Sequence, residues 1–147
     1  MTDTVRIGDF RHHVGQEVKV QGWLHNKRSS GKLQFLTVRD GSGFTQVVMA
    51  KAAVTPEAWG AAEGMGQESS LELTGKVKQD ARAPGGYEVE ATALTAIQVA
   101  HDYPISPKEH GTAFLMENRH LWIRSQRQHT VLRIRHTVVK AVRDFLD

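Results

Sequence analysis

Residues 27–49 read KRSSGKLQFLTVRDGSGFTQVVM. Two turn signals divide the stretch. Ser29-Ser30-Gly31 precedes an alternating segment, and Asp40-Gly41-Ser42-Gly43 follows it. Glycine accepts a positive φ without steric cost, so both are places for the chain to reverse. Between them Leu33, Phe35, Thr37 and Arg39 point one way and Gln34, Leu36, Val38 and Asp40 the other, the period of two of a strand. FTQVVMA, residues 44–50, is a second strand antiparallel to the first. Counting back from the second turn brings positions 35 to 37 close to 46 to 48. The spacing predicts a hairpin with a basic first turn (Lys27, Arg28, Lys32), an aromatic in one strand and an amide, Gln46, in the other.

Upstream, VKVQGWL at 18–24 sets Val18, Val20 and Gly22 against Lys19, Gln21 and Trp23, again a period of two. Downstream, Thr55 can cap a helix with Pro56 at its first position. A short helix is expected over 56–63, ended by Gly64. A fourth strand follows with Leu71, Leu73 and Gly75 alternating, then the turn cluster ARAPGG. A fifth strand starts at Tyr87, long enough to bend near residues 91–93. The order β-β-β-α-β-β is that of the OB-fold, a five-stranded Greek-key barrel with a helix between its third and fourth strands. Gly22 fits the sharp coil such a barrel needs.

The rest of the chain differs in texture. Residues 100–120 carry Pro104 and Pro107 and no sustained period, so they read as a linker. From Ser125, a plausible N-cap, Val131, Ile134, Val138, Val142 and Phe145 mark one helical face. That helix runs to Asp147 without a stop signal, as if another domain should begin there. The expected division is a barrel over 1–100, a hinge over 101–123 and a helix over 124–147.

Composition bounds the function. The chain has 147 residues, 24% of them charged, with a net charge of +3. That permits a nucleic-acid partner without demanding one. Cysteine is absent, which excludes disulfides and thiolate metal sites and makes a reducing, cytoplasmic compartment the expectation. No window approaches the apolar length of a membrane span. His12-His13 lacks partners at ligand spacing, so no metal is expected.

OB barrels bind single strands across strands 2 and 3. Such a site needs an aromatic for stacking, a side-chain amide for a base edge and a cation for phosphate. Phe35, Gln46 and Arg28 supply one of each. By themselves the residues also admit plainer readings: Phe35 as core, Gln46 as a solvated edge, a basic turn for solubility. Trp23 reads as core or barrel-end packing, Trp59 as helix packing and Trp122 as a hinge contact.

The longer pattern narrows the choice. Val20, Gly22, Trp23, Arg28, Gly31, Lys32, Phe35, Arg39, Asp40, Gly43 and Gln46 resemble the signature of the anticodon-binding domain of class IIb aminoacyl-tRNA synthetases. Residues 102–147, with YPI-x-PK-x-H and FL…RHL…R, resemble the hinge of the asparaginyl group. The likeness runs from about Arg6 to Asp147. It implies an enzyme that joins asparagine to tRNA(Asn) with ATP and Mg2+, as a homodimer, and a barrel that reads an anticodon whose second and third bases are uridine. By position Phe35 matches the aromatic that stacks on the middle base, Gln46 the amide that reads its edge and Arg28 the basic contact beside it. Glu88 matches an acid that contacts the first base. Charge adds Lys27, Lys32, Lys78 and Arg82 as candidate phosphate contacts, the last two on the loop between strands 4 and 5. The resemblance also implies that the final helix opens the family's dimer motif. The later motifs that carry catalysis are absent, so this stretch alone is expected to be inactive, with no catalytic residue and no cofactor of its own. The rival expectations are a free-standing OB-fold RNA-binding protein and an adaptor docking through the last helix.

Overall fold

The computed structural model describes residues 4–106 and 108–147; Pro107 of the hinge pattern lies outside the described residues. Two compact units result, Met1–Tyr103 and Pro104–Asp147.

The first unit is a closed barrel in the order β1-β2-β3-β5-β4. Its elements are β1 (Glu17–Ser30), β2 (Leu33–Arg39), β3 (Phe44–Ala50), the helix α1 (Pro56–Gly64), β4 (Ser70–Gln79) and β5 (Tyr87–Gln98). This is the expected OB-fold. One expectation within it changes. The basic segment is not a turn: β1 runs on through Asn26, Lys27 and Arg28 to Ser30, and the reversal is confined to Gly31 and Lys32.

The length of β1 follows from closure. Residues 17–23 pair with β4, and residues 23–30 pair with β2. The strand bends at the handover. Gly22 sits where an added Cβ would lie 2.4 Å from the Arg39 carbonyl oxygen, closer than any side chain tolerates. Gly75 on β4 is equally tight, 2.3 Å from the Glu90 carbonyl oxygen. A bulge follows between Leu24 and Asn26, leaving His25 unpaired on β2 and shifting the alternation by one residue. The fifth strand also bends as expected, with its register shifting between Thr74 and Gly75 opposite Ala93 and Ala91.

The interior follows the alternation. Val18, Val20, Leu24, Leu36, Val38, Val47, Met49, Leu71, Leu73, Val77 and Val89 are buried. A 3-10 helix at Ile7–His12, invisible to periodicity because it is so short, brings Ile7 and Phe10 into this core. It is tied to the β2–β3 turn. Asp40 accepts hydrogen bonds from the Ser42 and Gly43 amides through Oδ1 and from the Ile7 amide through Oδ2. The turn-capping role read for Asp40 is therefore what it does.

From α1 the barrel receives Ala58, Trp59 and Ala62. Trp59 is the packing residue expected. Thr55 caps the helix, its Oγ1 accepting from the Ala58 amide at 3.2 Å. Thr55→Ala removes that bond and should cost about 1 kcal/mol, seen as a fall in melting temperature of about 4–8 °C. An unchanged melting curve would show that water replaces the cap at no cost.

The second unit holds α2 (Thr112–Glu117), α3 (Arg119–Trp122) and α4 (Gln126–Leu146). Two short helices thus occupy part of the stretch read as a linker, too brief to leave a period. Ser125 stands at the N-cap of α4 without a side-chain cap bond. The face marked by Val131, Ile134, Val138, Val142 and Phe145 is exposed. No described helix is long and apolar enough to cross a membrane.

Candidate nucleic-acid interface

Strand register builds the outer face row by row. Asn26, Thr37, Gln46, Glu88 and Lys78 are successive partners across β1, β2, β3, β5 and β4. The next row is Arg28, Phe35, Val48, Glu90 and Lys76. Neighbouring strands lie about 4.8 Å apart, so each row is a short ladder of side chains. Phe35 and Gln46 stand diagonally across one antiparallel pair, within reach of a single planar group.

Phe35 is half-buried on the outside of β2, not in the core. The strand's phase decides this, because Gln34 and Leu36 on either side are buried. Arg28 lies opposite Phe35 on β1 and holds its guanidinium 3.9 Å from the ring centroid. Such a contact at an exposed site is worth about 0.5–1 kcal/mol, less than the ~1–3 kcal/mol of a base stacked on an aromatic ring. A base can therefore displace it. Gln46 donates from Nε2 to Glu88 Oε2 at 3.3 Å, an approach made by the parallel pairing of β3 with β5.

The flanking cations separate into groups. Lys27, one residue from Arg28, is on the opposite face of β1 beside buried Leu36. Its ammonium donates to the Ala62 and Glu63 carbonyls, where it satisfies the last turn of α1. Lys32 is exposed in the β1–β2 turn. Lys78 is on β4, not on the loop, and pairs with Glu90. Arg82 is on the loop, 3.1 Å from Asp80. Hydrogen bonds from Arg82 hold the Asp80 carboxyl below its ordinary range, and Asp80 raises Arg82 in turn. Arg28 is thus the cation placed against Phe35, and Lys32 is exposed in the turn that follows β1.

Residues that the pattern had not assigned complete the surface. Asn26 and Thr37 extend the Gln46 row; the bulge that turns Asn26 outward has no local signature. One row further on, Trp23, Arg39 and Phe44 are partners. Trp23 is 39% exposed, with the Arg39 guanidinium 5.2 Å from its ring, so it is not core; its partners Arg39 and Ser70 are end residues of β2 and β4. The outward phase of Trp23 with Lys19 and Gln21 was the available signal. Arg39 pairs with Glu68, which is buried and adopts a φ of 67°. His25 meets the Phe44 ring edge-on at 5.2 Å. Burial holds its imidazole below the usual value, with Arg39 adding to that shift and Glu68 opposing it.

His12 and His13 each have a partner nearby in the chain. Arg11 donates to His12, and His13 bonds with Gln16. Among the described residues no group of three or more His, Asp or Glu side chains could hold an ion.

Residues 18–97 match the family model of the OB-fold nucleic acid binding domain of the tRNA anticodon type. Over 144 residues the chain is 51% identical to an asparagine–tRNA ligase of Sorangium cellulosum, covering 97% of this chain and 32% of that protein. Among solved structures it resembles asparaginyl-tRNA synthetase from Pyrococcus horikoshii, complexed with asparaginyl-adenylate. The TM-score is 0.90 at 34% identity, over 99% of this chain and 34% of that one. The Entamoeba histolytica asparaginyl-tRNA synthetase in complex with asparaginyl-adenylate matches at a TM-score of 0.81 and 26% identity, over 99% and 35% of the two chains. The chain thus spans about a third of the relatives it matches.

Proposed function

This chain belongs to the OB-fold nucleic acid binding family of the tRNA anticodon type, and on that premise we propose that its barrel reads the anticodon loop of tRNA(Asn) as part of an asparaginyl-tRNA synthetase. The observation that carries the reading is the outward Phe35, with Arg28 over its ring and Gln46 on its diagonal. A middle uracil stacks on Phe35 in place of the guanidinium. Gln46 meets its edge, and the freed Arg28, with Lys32, faces phosphate. Residues 1–100 are the binding part, residues 101–123 the hinge and residues 124–147 the first helix of a catalytic domain.

The whole enzyme attaches asparagine to tRNA(Asn) with ATP and Mg2+, as a cytoplasmic homodimer. The residues of this chain make up about a third of such a protein. What they contribute is recognition: choosing the loop before the chemistry occurs elsewhere.

Titration against anticodon stem-loops tests this. Gln46→Ala should weaken binding of a uridine-centred loop by about 5- to 150-fold, the range for one bidentate edge contact. Affinity for a loop with a cytidine there should change little. Equal binding of all single strands by the unaltered chain would contradict the reading.

A further inference from the structure

The resemblance implies a direct contact between Glu88 and the first anticodon base. The geometry adds a contact with a side chain. Gln46 and Glu88 are 42 residues apart in sequence yet adjacent in register, joined by the Gln46 Nε2 bond to Glu88 Oε2 at 3.3 Å. An ionised carboxylate has no hydrogen to donate. The two ends of the Gln46 amide are therefore not interchangeable: its nitrogen must face Glu88 and its oxygen must face away. Of the nearby cations Lys78 pairs with Glu90 and Arg82 with Asp80, and Arg82 also feels the charge of Glu88.

We propose that Glu88 is a positioning residue that locks the orientation of the Gln46 amide and so makes the site select uracil over cytosine. This rests on the anticodon reading given above. One Nε2 hydrogen is committed to Glu88. The other lies beside Oε1 and forms with it a donor–acceptor edge. Uracil offers N3–H and O4, a donor and an acceptor that fit this edge. Cytosine offers an accepting N3 and a donating N4, which fit it only if the amide turns over. With Glu88 in place, turning over would set Oε1 against a carboxylate oxygen, two acceptors face to face. Without that carboxylate the amide is free to present either edge, and the two bases become equivalent to it.

The experiment uses the whole chain, fluorescence anisotropy and stem-loops differing only in uridine or cytidine at the middle position. The unaltered protein should prefer uridine by about 5- to 150-fold. Glu88→Gln keeps the shape of the side chain but lets it donate as well as accept. The preference should fall to within about twofold of unity, while the dependence of binding on Phe35 persists. On a Gln46→Ala background, Glu88→Gln should leave the uridine-to-cytidine ratio unchanged. A ratio retained in Glu88→Gln overturns the proposal. So does a change of selectivity confined to the first anticodon position, which would mean direct contact. If the unaltered chain binds in a Phe35-dependent way but without preference at the middle base, the Gln46–Glu88 assignment falls and the anticodon reading stands. If binding shows neither preference nor dependence on Phe35, both fall.

Discussion

Replacing Phe35 with alanine is expected to weaken binding of the anticodon stem-loop by one to two orders of magnitude while the barrel stays folded. Stacking of a base on an aromatic ring contributes about 1–3 kcal/mol, a factor of about 5–150 in affinity. The stability cost should be small. Phe35 is on the outer face, and the buried neighbours Gln34 and Leu36 hold the strand in place. What folding loses is mainly the Arg28 contact over the ring, about 0.5–1 kcal/mol at an exposed site. Phe35 carries no charge, so the salt dependence of binding should keep its slope. Arg28→Ala, by contrast, should flatten the slope by about 0.7 for each phosphate contact to a single strand. Binding by Phe35→Ala within a factor of about two of the unaltered chain would remove stacking from the mechanism.

The second large effect is on the fold. Gly22→Ala should destabilise the barrel by about 3 kcal/mol, the upper part of the range for overpacking. The added methyl would lie 2.4 Å from the Arg39 carbonyl oxygen and 3.1 Å from a Val38 methyl. Main-chain atoms cannot rotate out of the way as a side chain can. Relief requires β1 to move away from β2 at the point where β1 passes from one partner strand to the other. Thermal unfolding should show a fall of about 12–24 °C, from the usual 4–8 °C per kcal/mol in a domain of this size. A shift of less than about 3 °C would mean that the strand has slack at this point.

These two residues show different degrees of legibility. Alternation over residues 33–40 sets Phe35 against Gln34 and Leu36 without saying which set faces out, and a lone phenylalanine in a barrel strand is more often core; the burial of Gln34 and Leu36 decides it. Gly22 could be read as a bend, but its closeness to Arg39 depends on a partner strand. Thr55-Pro56 announced α1 because capping is local chemistry, and Asp40 announced its turn for the same reason. The extension of β1 through Arg28 left no such trace. Asn26, Lys27, Arg28, Ser29 and Ser30 have no apolar period, and they are strand only because β2 lies beside them. The bulge at His25 then decides that Arg28 meets Phe35 while Lys27 turns to the carbonyls of α1. Adjacent cations that composition cannot tell apart thus have separate tasks.

By itself the sequence determined the order of the barrel's strands and its helix, the Asp40 turn and the helix cap, and it offered Phe35, Gln46 and Arg28 as candidates. Each of these depends on interactions within a few residues, where alternation and backbone preference act. Only the tertiary structure decided which of the side chains meet. Gln46 and Glu88 are joined by a parallel pairing of strands 42 residues apart, and no local preference encodes a register set by closing a barrel.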